Sequence, residues 1–450
     1  MTMFQFNRFH VIVPKRGYLA AGFLLRLFLA PFLSHPFDMR IFMAVGAAVS
    51  HGGTPYGQYV LQDIFATTPH PNLYGTFPGI GYPPLWALIS GAMHWMSWFL
   101  APDNLYAYIL ALKIPVIIGE LALAVLIYNI LIRQTTQRIA TKAYLLFIFC
   151  PFVIVVGTVW GMFDAIALVF ALLSAYLLKK DWKVSAIFLS IAALLKVYPI
   201  VLAPLYIIIL YKSSRSMKPA AGFLFSTTTL TGILTVLPMV LFNWPISNLY
   251  NALVYQVATT KSAYDAMASF PYGAASPFNS FALASNLTGG VIQPPLISMY
   301  LWIPACIIVY ALLLRAHPKA TVDPKGASAD FAHTVQWSML LMLTFFTTRA
   351  WVSEQNLIFL FAFFCLSVFL QFPQELDKVM LLWLLLFIFV LVHVPVTSFF
   401  WLPIPSTLNQ ASAFADGPFG WTRLLLMSLL TFGWFAMCWQ YVAKKLRWLS

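Results

Sequence analysis

The stretch PPLWALISGAMHWMSWFL, residues 83–100, decides how this chain is laid out. As a helix its 18 residues would reach ~27 Å, just enough to cross the hydrocarbon of a bilayer. If it crosses, every later loop changes side. The charges around it make the choice. Beyond residue 100 there are 21 lysines and arginines, and sixteen of them share a side with the N-terminus if 83–100 does not cross. They are Arg133, Arg138 and Lys142; Lys179, Lys180 and Lys183; Lys212, Arg215 and Lys218; Arg315, Lys319 and Lys325; Lys378; and Lys444, Lys445 and Arg447. Arg8, Lys15 and Arg16 join them. Cytoplasmic loops collect basic residues, so 83–100 is expected to be re-entrant or to lie at the outer surface. Pro83 and Pro84 suit the first turn of a helix, and Trp86, Trp95 and Trp98 suit a membrane interface.

The rest of the sequence is that of a polytopic membrane protein. It has 450 residues, 61% of them hydrophobic and 9% charged, with a mean hydropathy of +0.83. A soluble domain carries charge on about a quarter of its residues. Apolar runs predict an all-α bundle with about twelve spans, at 17–33, 106–132, 143–159, 164–178, 184–199, 200–211, 220–242, 292–314, 333–350, 355–371, 379–395 and 422–443. Residues 1–450 then form one integral membrane domain with both termini inside. The long outer loops are 34–105, 243–291 and 396–421. The first run lacks a small-residue cleavage site and reads as a retained helix rather than a signal peptide.

Several function classes drop out. The net charge of +13 follows from the basic inner loops and does not call for nucleic acid. Cys150, Cys306, Cys365 and Cys438 sit far apart in apolar runs, with neither disulfide nor zinc spacing. No P-loop, dinucleotide fingerprint or HExxH is present.

Charged groups are expensive near hydrocarbon, so several at one depth suggest a polar cavity. On the outer face the topology gathers His35, Asp38 and Arg40 after the first span, Asp164 in WGMFDA (160–165), and Lys196 in LLKVYP (194–199). TTRAWVSEQN (347–356) adds Arg349, Glu354, Gln355 and Asn356. Each has a plain structural reading: Asp164 as a helix cap, Lys196 snorkelling to the interface, Arg349 against headgroups, Glu354 as a loop residue. His51 and His94 read as interface aromatics. Tyr82 and Tyr198 lie beside prolines at this level, and further aromatics recur in 51–84 and 264–278. Arg26 and Glu120 lie at matching depths in the first two spans and are expected to pair structurally. Asn286-Leu287-Thr288 is an N-glycosylation sequon in a predicted outer loop.

Taken in order, FDMRIFMAVGAAVSHGGTPYGQY (37–59), GYPPLWALI (81–89), CPFVIVVGTVWGMFDA (150–165) and KVYP (196–199) resemble the polyprenol-phosphate-sugar-dependent glycosyltransferases of the GT-C superfamily. The nearest likeness is to the catalytic subunits of GPI mannosyltransferase I and their prokaryotic relatives. The likeness covers about the first half of the chain, and SEQNLIFL (353–360) matches more weakly. It implies a catalytic module over 17–242, a variable helical module over 243–450, and interfacial or re-entrant helices in the first outer loop. It also implies inverting transfer, of mannose in the family's pattern, from a polyprenyl- or dolichyl-phosphate sugar to a glycan or glycolipid hydroxyl on the extracytoplasmic face. Asp38 matches the first-loop acid, Asp164 the acid after the third span, and Lys196 the lysine of a lysine-aromatic-proline motif. The relatives' Asp-x-Asp pair is broken here by Pro36, which counts against a divalent cation. A prokaryotic cell membrane is favoured over an endoplasmic reticulum.

The residues suit that chemistry on their own terms. A hydroxyl needs a base to take its proton, and a departing lipid phosphate needs cations. Asp38 is the expected base and Asp164 the competing one. Lys196, Arg349 and Arg40 are the expected phosphate cations, Arg40 doubling as the ion partner that keeps Asp38 charged. His35, Tyr82, Tyr198, Glu354, Gln355 and Asn356 are expected to bind substrate. The rival readings are a twelve-helix secondary transporter, a lipid-linked polysaccharide polymerase or ligase, and a membrane scaffold.

Overall fold

The computed structural model describes residues 3–6, 9–60, 76–250, 275–289, 292, 296–316, 327–372, 375–418 and 420–445. The loop aromatics of 61–75 and 264–274, and Lys319, Lys325 and Arg447, lie outside the described residues, as does the side chain of Asn286.

The chain is an all-α membrane protein in its described residues, apart from two small hairpins. Strands β1 (Met3–Phe6) and β2 (Phe9–Ile12) pair antiparallel before the first helix, and β3 (Gln58–Val60) pairs with β4 (Thr76–Pro78). The helices are α1 Arg16–Leu29, α2 Asp38–Ser50, α3 Pro84–Leu100, α4 Leu105–Leu131, α5 Gln137–Phe149, α6 Asp164–Leu177, α7 Trp182–Leu195, α8 Leu202–Ser214 and α9 Met217–Leu241. In the second half come α10 Asn279–Leu287, α11 Trp302–Arg315, α12 Ala327–Thr348, α13 Leu357–Gln371, α14 Leu376–His393, α15 Thr407–Asp416 and α16 Gly420–Lys445. Among the described residues, five helical stretches are long and apolar enough to cross a membrane: Leu105–Leu131, Gln137–Val159, Met217–Leu241, Glu354–Gln371 and Gly420–Lys444.

Local chemistry sets several boundaries. The Asn104 side chain accepts from the Ala107 N–H at 3.0 Å and starts α4. Asp181 does the same for α7 through Lys183 and Val184. Pro151 forces Cys150 into an extended conformation and ends α5. The chain then winds through Pro151–Ile154 into a π-helical turn, Val155–Val159. Gly161 follows at φ +103°, a conformation that favours glycine. There a Cβ would also meet the Met39 side chain at 2.4 Å. This turn swings the chain from Trp160 into Asp164, the first residue of α6.

Three contacts fix the direction of α1 against α4. At one end Ile12 and Asn129 exchange hydrogen bonds of 2.8 and 2.9 Å. In the middle Arg26 forms a fully buried ion pair with Glu120. At the other end the Lys113 ammonium donates to the carbonyls of Ala30 (3.0 Å), Leu33 and Val159 (2.9 Å). The two helices are therefore antiparallel. The chain leaves α1 and enters α4 at the same end, so residues 34–104, α3 included, return to the end they left. Helix α3 lies along α2 and α4.

The two ends of the bundle differ in charge. The Ile12 end gathers cations. Arg133 donates to the Tyr176 hydroxyl at 2.9 Å, Lys180 sits 3.6 Å over the Tyr176 ring, and Lys179 pairs with Asp330 at 2.8 Å. Lys212 caps the carbonyls at the end of α11. The Leu33 end holds Asp38, Asp164 and Lys196. The tryptophan belt needs one correction. Trp86 is fully buried and stacks on Phe163 at 4.0 Å, because the Pro84 turn aims it inward, while Trp95 is exposed.

This arrangement predicts a labelling pattern. Pro102 and Thr136 are both exposed and stand at opposite ends of α4. The four native cysteines are buried. With a membrane-impermeant maleimide added outside intact cells, Pro102→Cys reacts and Thr136→Cys does not. The reverse pattern would turn the bundle over.

Candidate functional site

Two strips of chain cross at the Leu33 end. The first is the exit of α1. The Ser34 N–H donates to the Phe399 carbonyl at 3.0 Å, and Trp401 Nε1 donates back to Ser34. The 396–401 turn thus holds the entry to α2, where Asp38 is the first helical residue. The second strip is the turn after Val159. The Trp160 carbonyl accepts from the His35 N–H at 3.2 Å, and the two rings stack at 4.3 Å with 8° between planes. Trp160 Nε1 donates to Asp38 Oδ2 at 2.7 Å, and His35 Nδ1 lies 3.1 Å from the same oxygen.

Asp164 is the first residue of α6, and Phe163 holds the cap position before it. It accepts from the Tyr198 hydroxyl at 2.9 Å and pairs with Lys196 Nζ at 3.1 Å. Lys196 does not snorkel. It ends α7 in an extended conformation, is 2% exposed, and lies 4.1 Å over Tyr82 and 4.4 Å over Phe163. Charge and ring contacts thus hold the Lys-Val-Tyr-Pro turn against the start of α6.

Tyr82 is where these groups meet. Lys196, Asp164 and Asp38 all act electrostatically on its hydroxyl, and burial holds it above the ordinary tyrosine range. Arg349, just past the end of α12, acts on both Tyr82 and Tyr198. As an arginine it is a cation at neutral pH. One neighbourhood therefore receives residues from five separate segments of the chain.

The two carboxylates differ in access. Asp38 is 22% exposed and Asp164 is 1% exposed. Burial works to raise the Asp38 carboxyl, but His35, Trp160 and Lys196 prevail and hold it below its ordinary value.

Other expectations change. Arg40 lies two residues past Asp38 on α2. It donates to the Pro36 carbonyl, and its guanidinium lies 4.6 Å over Phe77 and 5.6 Å over Trp401. Glu354 is 2% exposed and pairs with His393, whose carbonyl accepts from Arg423 at 3.0 Å. The Glu354–Asn356 turn sits beside the Val155–Val159 turn, and Phe359 behind it packs edge-on against Tyr198. His94 and His51 leave the site. His94 is buried between Ser50 (2.7 Å), Trp98 and Tyr108, and burial with His51 nearby pushes it down to about 4. It is a packing residue of α2, α3 and α4.

Sequence reasoning missed Trp160, His393, Trp401 and Lys113. Trp160 carried a signal, since it adjoins Asp164 in the quoted motif. Lys113 carried another, as a cation two turns inside an apolar run. No protein-family model matches the chain, and no curated protein is similar to it.

Proposed function

We propose that the chain is a membrane glycosyltransferase of the GT-C type. It moves a sugar, mannose by the resemblance, from a polyprenyl or dolichyl phosphate to the hydroxyl of a glycan or glycolipid. In this reading the bundle has twelve spans, both termini are cytoplasmic, and the Asp38 end faces the extracytoplasmic side of a prokaryotic cell membrane. The observation that carries it is the convergence of Asp38, Asp164, Lys196, Tyr82 and Arg349 at one end of an apolar bundle.

Asp38 is the base. Its carboxylate takes the acceptor's proton as the acceptor oxygen bonds to the anomeric carbon. The bond from that carbon to the phosphate oxygen breaks, and its electron pair leaves on the lipid phosphate. The sugar carbon passes through an oxocarbenium-like state, as in glycoside hydrolysis, and attack on the face opposite the phosphate inverts it. Arg349 is the accessible cation for the departing phosphate. Lys196 is closed over by Asp164 and two rings, so its part is to hold Asp164, Tyr82 and Tyr198 in position. A donor activated by its lipid phosphate needs no nucleotide-binding domain. In this reading Asn356, at the end of the Glu354–Asn356 turn, contacts the acceptor or the sugar, and the buried Glu354 and Gln355 hold the turn.

The test uses purified protein in detergent with radiolabelled polyprenyl-phosphate mannose and a crude membrane glycan fraction as acceptor. Labelled product and free lipid phosphate appear together. Absence of turnover with any polyprenyl-phosphate sugar, with ion-coupled solute uptake in proteoliposomes, would replace this reading with a transporter.

A further inference from the structure

The contact between His35 and Asp38 holds more than a simple ion pair. One nitrogen, His35 Nδ1, meets two atoms of the same residue. The Asp38 backbone N–H donates to it at 3.2 Å, and Asp38 Oδ2 lies 3.1 Å from it. A single ring nitrogen cannot accept from the first while donating to the second. Without a proton it caps the start of α2. With a proton it binds the carboxylate. The proton on Nδ1 therefore selects between two arrangements, and both keep the ring stacked on Trp160.

Trp160 does not titrate. Its Nε1–H holds Asp38 Oδ2 in either arrangement. Among the described residues no donor reaches Asp38 Oδ1. That oxygen is left for a substrate hydroxyl.

We propose that His35 is the proton outlet of Asp38, with Trp160 holding the carboxylate in register between the two. The inference rests on the glycosyltransferase reading. Asp38 Oδ1 takes the proton of the acceptor hydroxyl as the new carbon–oxygen bond forms and the phosphate departs with its electron pair. A half-turn of the carboxyl group exchanges its two oxygens and brings that proton to the side facing His35; Nδ1 accepts it, Nε2–H gives its proton to water, and proton exchange with water returns the ring to the tautomer with Nδ1 free. The ring is 16% exposed, which gives the proton a way out. The transfer returns Asp38 to its charged form, ready for the next acceptor. The other charged groups acting here are Lys196, from the end of α7, and Tyr82, before α3. Arg40, on α2 itself, is turned to Phe77 and Trp401. The 396–401 turn presents Phe399 to the rings. His35 acts through Asp38 and is a positioning residue with a relay role.

His35→Asn tests it, because Asn still offers an acceptor to the Asp38 N–H. Turnover with saturating polyprenyl-phosphate mannose falls at least about tenfold, the donor KM is unchanged, and added imidazole restores a measurable part of the rate. A second measurement is the pH profile. Asp38 works as a base only when ionised, and Trp160 helps hold its pKa down. Trp160→Phe therefore moves the acid limb of kcat/KM to higher pH. His35→Asn at the wild-type rate, or a slow variant that imidazole does not restore, overturns the relay and leaves the glycosyltransferase reading standing. A wild type inactive on every polyprenyl-phosphate sugar removes that reading and the relay with it.

Discussion

Asp38→Asn lowers sugar transfer by about 10²–10⁴-fold, the usual weight of a general base. The change keeps the shape of the side chain and removes the proton acceptor. An amide at this position still accepts from Trp160 Nε1, so the turn between α1 and α2 stays in place. The loss therefore falls on kcat, and donor binding survives, because in the proposed mechanism the phosphate is met by Arg349, after α12, and not by α2. Asp164→Asn behaves differently. It strips the partner from an ammonium that is 2% exposed, so its first effect is a lower melting temperature. The two variants are compared by turnover, donor KM and thermal melting in the same detergent. If Asp38→Asn turns over normally while a well-folded Asp164→Asn is dead, the two acids have exchanged roles. The exposure difference between them makes that outcome the less expected one.

Much of this layout could be read before any coordinates. Helix periodicity and hydropathy located α4, α6 and α9 within a few residues, since a run such as Leu105–Leu131 has one stable form in hydrocarbon. The placing of 83–100 came from the count of basic residues, and the antiparallel α1 and α4 add that the chain between them returns to the end it left. The span expected at 292–314 shows why boundaries fail: its helix starts only at Trp302, after a 3-10 turn at Leu296–Met299. The first-turn acids Asp38 and Asp164 were legible because a carboxylate beside a span is rare. Their partners were not. Trp160 meets Asp38 across 122 positions, and His393 meets Glu354 across 39. Such pairings depend on the swing at Gly161 and on the packing of α13 against α14, which no local pattern encodes.

The deep ion pair carries the other large effect. Arg26 and Glu120 are both fully buried. Arg26 also donates to the Gly22 carbonyl at 3.1 Å and the Ile148 carbonyl at 2.9 Å, and Thr158 donates to Glu120 at 3.0 Å. The pair thus ties α1 to α4, α5 and the π-helical turn, the same turn that delivers Trp160 and Asp164. Gly157 leaves room for it, since a Cβ there would meet Glu120 Oε1 at 1.6 Å. Glu120→Ala removes one charge and strands the other in a medium with no water, a change of about 3–5 kcal/mol for a broken buried pair. Arg26→Ala should match it. The Coulomb attraction itself does not set that figure, because desolvation offsets most of it. Replacing both partners by methionine leaves no stranded charge, so Arg26→Met with Glu120→Met melts closer to wild type than either alanine variant does. Thermal melts of the four proteins separate the two views. A double methionine variant as unstable as Glu120→Ala would assign the effect to packing rather than charge. Equal melting of Glu120→Ala and wild type would remove the structural role of the pair altogether. Lys113 needs no acid partner in this scheme. It satisfies its ammonium on three carbonyls at the outlet of α1 and the π-helical turn, about two helical turns along α4 from the pair. The buried charges of the first two long helices therefore stand in a column, and what they hold in register is the ledge from which Asp38 and Trp160 project.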